Sequence, residues 1–276
     1  MHHVTANGAE IPALGFGTFE LEPADAEAMV EHALRVGYRH IDTAQMYDNE
    51  ESVGRGIKNA GVAREDVFLT TKLWTDRFHD GDLQQAMAES LSRLGADYVD
   101  LVLLHWPNDE VSITETTAAL ADVKRRGMAR HVGISNFTTR LIHEAAKASP
   151  AALVTNQVEY HPFLDQSPVR DALAEHDIAL TAYCPLARGE VFANDTLKRI
   201  GQTHGKNAGQ VALRWLVQQD NVIAVPRSSN PDHVAANFEI FDFELSASEM
   251  QAIFDLHTPD GRMIDPSFAP DWDNAA

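Results

Sequence analysis

Eight short apolar runs, each followed by a polar or amphipathic stretch, recur from Leu14 to Pro226, and no other feature restricts the fold of this chain as tightly. The runs are Leu14–Thr18, Arg39–Thr43, Val67–Lys72, Tyr98–His105, His131–Ser135, Leu153–Val158, Ile178–Cys184 and Val222–Pro226. Each is too short for a helix and reads as a buried strand. Between them, Ala24–Val36, Asp82–Leu94, Ile113–Arg126, Ser167–His176 and Ala208–Gln218 carry apolar residues at helical spacing. Tyr98–His105 is apolar on both faces apart from Asp100, as expected of a strand covered by helices. Strands and helices that alternate in this way, with no Pro/Gly-rich linker, predict a parallel (β/α)8 TIM barrel occupying residues 1–276 as one domain. An Asn7-Gly8 turn predicts a β-hairpin across Val4–Ile11 ahead of the barrel. A capped helix is expected over Ser246–Leu256, with Glu249 three residues after Ser246, followed by a short tail from His257. The rival, a doubly wound sheet, usually carries G-x-G-x-x-G after its first strand; here Gly15 and Gly17 lack the third glycine.

Composition narrows the partners. The 276 residues suit a barrel, and 44% are hydrophobic, enough for a large core. Acidic residues number 41 against 22 basic ones, a formal net charge of −19, so phosphate-rich nucleic acid is an unsuitable partner. Only 6 of the basic residues are lysines. Such a surface fits either an ordinary acidic cytoplasmic enzyme or one adapted to high salt, where self-repulsion is screened. No basic-then-apolar leader and no apolar run of about 20 residues is present, so neither a signal peptide nor a membrane span is expected. Cys184 is the only cysteine, which fits a reducing compartment. No His-Glu-x-x-His or cysteine cluster predicts a metal.

Active sites of such barrels lie at the C-terminal strand ends. The polar residues there are Asp42, Lys72, His105, Ser135, Asn136, Gln157, Tyr183 and Arg227, with Tyr47 five residues after Asp42. Singly, each has a duller explanation: Asp42 as a cap for a helix starting near Asn49, Lys72 as a solvated lysine, His105 as a rim histidine. On three consecutive strand ends they make a set suited to carbonyl reduction. A phenol of pKa about 10 is a poor acid at neutral pH, and a neighbouring ammonium lowers it. Lys72 can supply that charge, Asp42 can hold Lys72 charged, and His105 can orient the substrate oxygen.

At these residues the sequence resembles the aldo-keto reductases. The resemblance runs from Ile11 to about Asp273 and rests on Gly37–Gly54 (GYRHIDTAQMYDNEESVG), Thr70–Trp74 (TTKLW), Asp97–Pro107 (DYVDLVLLHWP), Gly133–Phe137 (GISNF), Asn156-Gln157 and Val225–Ser228 (VPRS). Within the family it is most like the bacterial 2,5-diketo-D-gluconate reductases, also known as methylglyoxal reductases. The ending, with Asp260–Ile264 (DGRMI) and Ala269–Trp272 (APDW), adds to that likeness. The resemblance implies a monomeric NADPH-dependent reductase of small aldehydes, α-dicarbonyls or keto-sugars, with Asp42, Tyr47, Lys72 and His105 as its catalytic tetrad. It implies that Ser135, Asn136 and Gln157 hold the nicotinamide carboxamide and that Tyr183 stacks on its ring. Gly17, Thr18, Pro185, Leu186 and Pro226 are further implied cofactor contacts, and Arg227 and Ser228 stand where the family usually has Lys-Ser at the 2′-phosphate. Two positions depart from the pattern: His233 replaces a usual Arg, and Ala236 a common Glu, with the matching Asn237 following. With one guanidinium fewer, a reduced preference for NADPH over NADH is expected, growing as His233 protonates. Short loops imply an open pocket lined by Phe19, Trp74 and Trp106, beside His105. Two other classes stay open at this point: a non-catalytic NADPH-binding regulatory relative, and a Schiff-base aldolase using Lys72.

Overall fold

The computed structural model describes residues 2–273. Strands β1 (His3–Ala6) and β2 (Ala9–Pro12) form the hairpin, pairing Val4 with Ile11. Asn7 and Gly8 both have positive φ (45° and 80°), the twist that an Asn-Gly hairpin turn requires. The Asn7 side chain also donates to the carbonyls of Leu153 and His176, which pins the hairpin beneath the barrel.

Eight parallel strands follow: β3 (Phe16–Gly17), β4 (His40–Asp42), β5 (Phe68–Leu73), β6 (Val99–Leu104), β7 (Ala129–Ser135), β8 (Leu153–Glu159), β9 (Ala179–Tyr183) and β10 (Val222–Ala224). Each pairs with its neighbour in chain order. The first and last edges meet through the Leu14–Ala224 bridge and through hydrogen bonds from Gly15 N to Ala224 O and from Gly17 N to Pro226 O, so the sheet closes into the expected (β/α)8 barrel. The edge strands β3 and β10 are shorter than their apolar runs. Pro226 cannot donate to a ladder, and Leu14 contributes one isolated bridge.

Around the barrel lie α1 (Pro23–Val36), α2 (Glu50–Asn59), α3 (Asp82–Leu94), α4 (Ile113–Arg125), α5 (Thr139–Ala148), α6 (Ser167–Ala174), α7 (Asp195–His204), α8 (Ala208–Val217), α9 (Pro231–Phe238) and α10 (Ala247–Phe254). The box expected at Ser246 and Glu249 caps α10 reciprocally. Asp100, the polar exception of β6, is buried and accepts hydrogen bonds from Leu69 N, Arg64 and Arg130. Among the described residues, no helix is long and apolar enough to cross a membrane.

Candidate active site

The parallel strands deliver their C-terminal ends to one mouth, a cavity of about 690 Å³. Asp42 ends β4, Lys72 lies one residue from the end of β5, and His105 follows β6 directly. Tyr47 closes the short 3-10 turn Gln45–Tyr47 that leaves β4. Sequence separations of 25 to 30 residues thus become hydrogen bonds.

Lys72 is fully buried. Its Nζ donates to Asp42 Oδ1 at 2.6 Å, to Thr43 O at 2.9 Å and to the Tyr47 hydroxyl oxygen at 3.2 Å. An ammonium has three protons and no lone pair, so all its donors are engaged. Burial pulls its pKa down, but the charges and hydrogen bonds of Asp42 and Tyr47 outweigh that pull and leave it raised. The other Asp42 oxygen accepts from Gln157 Nε2 at 2.8 Å. Asp42 is therefore no helix cap, and Lys72 is not solvated.

The phenol departs from the sequence expectation. Burial raises the Tyr47 pKa, and this exceeds the lowering by Lys72, to which Asp42 adds a smaller rise. Tyr47 is half-buried, and Lys72 offsets the cost of a phenolate there without reversing it. Since Lys72 occupies an acceptor site on the Tyr47 oxygen, the Tyr47 proton is free to point elsewhere. The His105 pKa is well below the usual histidine value, through burial first and the Lys72 charge second, so the ring is neutral. Its Nδ1 is buried with no hydrogen-bond partner. An orphaned N–H is costly there, which favours the tautomer with its proton on Nε2. Tyr47 and His105 rings stand edge-on, with centroids 5.6 Å apart.

Gly17, Ser135, Asn136, Gln157, Tyr183, Pro185, Leu186, Pro226, Arg227, Ser228, His233 and Asn237 all line the cavity, as do Phe19, Trp74, His105 and Trp106. Thr18 does not. Its backbone N–H and hydroxyl both turn to Asp42 O, so it supports the end of β4 instead of facing the cavity. Asn136 adopts a left-handed conformation (φ 64°), which Asn tolerates better than most residues. Its carboxamide joins Ser135 Oγ, His105 O and the Tyr183 hydroxyl. A nicotinamide dinucleotide fits this donor set. Gln157 and Asn136 hydrogen-bond Asp42 and the His105 carbonyl, and Arg227, Ser228 and His233 line the same cavity. A Cβ on Gly17 would stand 2.9 Å from Val225 O, so glycine is needed where β3 meets the chain leaving β10.

Sequence reasoning missed part of the lining. Glu20 reaches Arg227 (3.4 Å) and Arg188 (3.3 Å), and Met46 and Phe192 are exposed at the rim. The short tail does not leave the pocket open on its side. Ile264, Pro266 and Phe268 form a wall, and Phe268 meets Trp74 and Trp106 edge-on at 5.7 and 5.3 Å. Trp106 is accordingly almost buried. The signal was the aromatic content of the tail, but no local periodicity says where a coil segment will lie.

Comparison with known proteins bears on this site. The aldo/keto reductase family profile matches residues 13–257. The chain is 41% identical over 266 residues to an aldo-keto reductase of Mycolicibacterium smegmatis, covering 95% of each chain. A crystal structure assigned provisionally as a 2,5-diketo-D-gluconic acid reductase B is 48% identical, with a TM-score of 0.97 over 99% of this chain and 98% of that one. An aldo/keto reductase structure from Brucella melitensis is 40% identical, with a TM-score of 0.87 over 92% and 98%.

Proposed function

The chain belongs to the aldo/keto reductase family, oxidoreductases that use nicotinamide cofactors, and from that premise we propose that it reduces small aldehydes, α-dicarbonyls or keto-sugars to alcohols with NADPH, NADH being the poorer donor. Asp42, Tyr47, Lys72 and His105 are the proposed catalytic group. The cofactor, when bound, supplies the hydride to the carbonyl carbon. As that carbon is reduced, charge develops on the carbonyl oxygen, and the Tyr47 hydroxyl donates its proton to it. Lys72 stabilises the phenolate left behind, and Asp42 keeps Lys72 charged. Neutral His105 donates from Nε2 to the same oxygen and fixes its approach. Ser135, Asn136 and Gln157 would hold the carboxamide and Tyr183 the ring face, while Arg227, with Ser228, would meet the 2′-phosphate. The keto-sugar part of the range rests on the 48% identical structure.

The observation that carries this reading is the three-way engagement of Lys72, which spends all its own protons and makes the Tyr47 oxygen an acceptor, so that the Tyr47 proton is turned away from Lys72. It also counts against an aldolase, because a lysine held as an ammonium has no lone pair for Schiff-base formation. Turnover separates the reading from a regulatory, non-catalytic relative. With methylglyoxal and NADPH, Tyr47→Phe should lower kcat by about 10²–10⁴-fold and leave NADPH binding unchanged. Near-normal kcat in that variant would remove Tyr47 as the donor.

A further inference from the structure

Glu159 is a fully buried carboxylate that the proton relay does not use. It ends β8, two residues beyond Gln157 and so on the same face of the strand, and it is in register with Tyr183 of β9. Its oxygens accept the backbone N–H groups of Met263 at 2.8 Å and Ile264 at 3.0 Å. His161 Nε2 adds a third contact at 2.9 Å; its Nδ1 accepts from Phe163 N, which leaves the ring proton on Nε2. The Arg262 guanidinium stands 3.8 Å away. One buried charge therefore gathers three consecutive tail residues onto the rung that carries Tyr183.

Ile264 and the residues after it make the wall of the cavity on that side. Ile264 and Phe268 line the cavity, and Phe268 closes against Trp74 and Trp106. We propose that Glu159 is a positioning residue for substrate selection: it locks the tail to β8 and so sets the width of the slot between Phe268 and the reacting carbonyl. A charged acceptor suits this task, since hydrogen bonds to a carboxylate are roughly twice as strong as neutral ones. The proposal rests on the reductase reading, and it adds that selectivity between flat, bulky carbonyl compounds and small ones depends on a residue that touches neither.

The test is Glu159→Gln, which keeps the shape and removes the charge, assayed with methylglyoxal and with 4-nitrobenzaldehyde alongside amide hydrogen exchange. Faster exchange at Met263 and Ile264 is expected, together with a rise of roughly tenfold in KM for the aryl aldehyde. KM for methylglyoxal, and kcat for both, should stay within about twofold. Phe268→Ala should abolish the difference, and adding Glu159→Gln to it should create no new one, the non-additivity expected of coupled residues. Should Glu159→Gln fail to fold, Glu159→Asp, which withdraws the carboxylate from the tail, must give the same split. Unchanged exchange at Met263 and Ile264, equal KM rises for both aldehydes, or additivity with Phe268→Ala would each overturn the proposal. A wild-type protein that oxidises no NADPH with either aldehyde would instead sink the reductase reading, and the exchange rates would still judge the anchor.

Discussion

Replacing Asp42 by Asn leaves the Lys72 ammonium buried at the bottom of the cavity without the carboxylate that touches it at 2.6 Å. The side chains are only 1% and 4% exposed, so solvent cannot take over the role of the lost charge. Its remaining acceptors, Thr43 O and the Tyr47 oxygen, are neutral dipoles. Breaking such a pair from one side costs about 3–5 kcal/mol, most of it the unpaired charge. Losing the Lys72 proton is the way out. Burial already pulls the Lys72 pKa down, and in the native protein Asp42 is the leading influence against it. Without Asp42 the folded-state pKa falls below the unfolded one. The unfolded chain then binds more protons, so the variant gains stability as pH rises. Urea unfolding at pH 7 and pH 9 should show a deficit of about 3–5 kcal/mol at pH 7 and a smaller one at pH 9. Adding Lys72→Met removes the stranded charge and should restore much of the stability. Turnover should stay lost in both proteins, because the phenol has lost its neighbouring ammonium. A deficit under about 1 kcal/mol for Asp42→Asn, or a double variant no more stable than the single one, would refute the account of Lys72 as a buried, carboxylate-held cation.

Lys72→Met alone should move the alkaline limb of the residual pH–rate profile upward, since the Tyr47 phenol then keeps the effect of burial and loses the charge that opposes it; an unmoved limb would separate Lys72 from the phenol. Arg227→Ala should weaken NADPH binding by about 1.5–3 kcal/mol and leave NADH nearly untouched, and equal losses in paired dissociation constants would put Arg227 away from the 2′-phosphate. His40 and His105 both have lowered pKa values, chiefly through burial. The unfolded chain therefore takes up protons near pH 6.5 that the folded one refuses, and stability should fall as pH drops below about 6.5. Urea midpoints from pH 8 to 5 check this. The slope should be shallower in His40→Gln, and an identical slope would clear His40 of the effect.

Local chemistry determines much of this protein without any long-range contact. The alternation of apolar runs with helical stripes dictated the barrel, because a parallel strand buried on both faces and a helix with one apolar stripe can satisfy each other only in layers. Asn7-Gly8 fixed the hairpin, and Ser246 with Glu249 fixed the start of α10, since turns and caps are closed by residues within a few positions of one another. Asp42, Lys72 and His105 were legible as a group because the fold carries every strand end to one mouth. What the sequence could not determine was energetic balance and the course of coil. Whether Lys72 lowers the Tyr47 pKa outright depends on how far neighbours such as Phe19 and His105 desolvate the phenol, and desolvation wins. Thr18 turns toward Asp42 O because that carbonyl, which accepts the Thr18 N–H with one lone pair, still has a second for the hydroxyl. Glu159 shows the division most plainly. Its neighbours in sequence say only that a carboxylate ends an apolar strand, and its partners, Met263 and Ile264, lie more than a hundred residues away. A segment without periodic contacts is placed by whichever buried charge its backbone can satisfy, and only the assembled barrel puts that charge within reach.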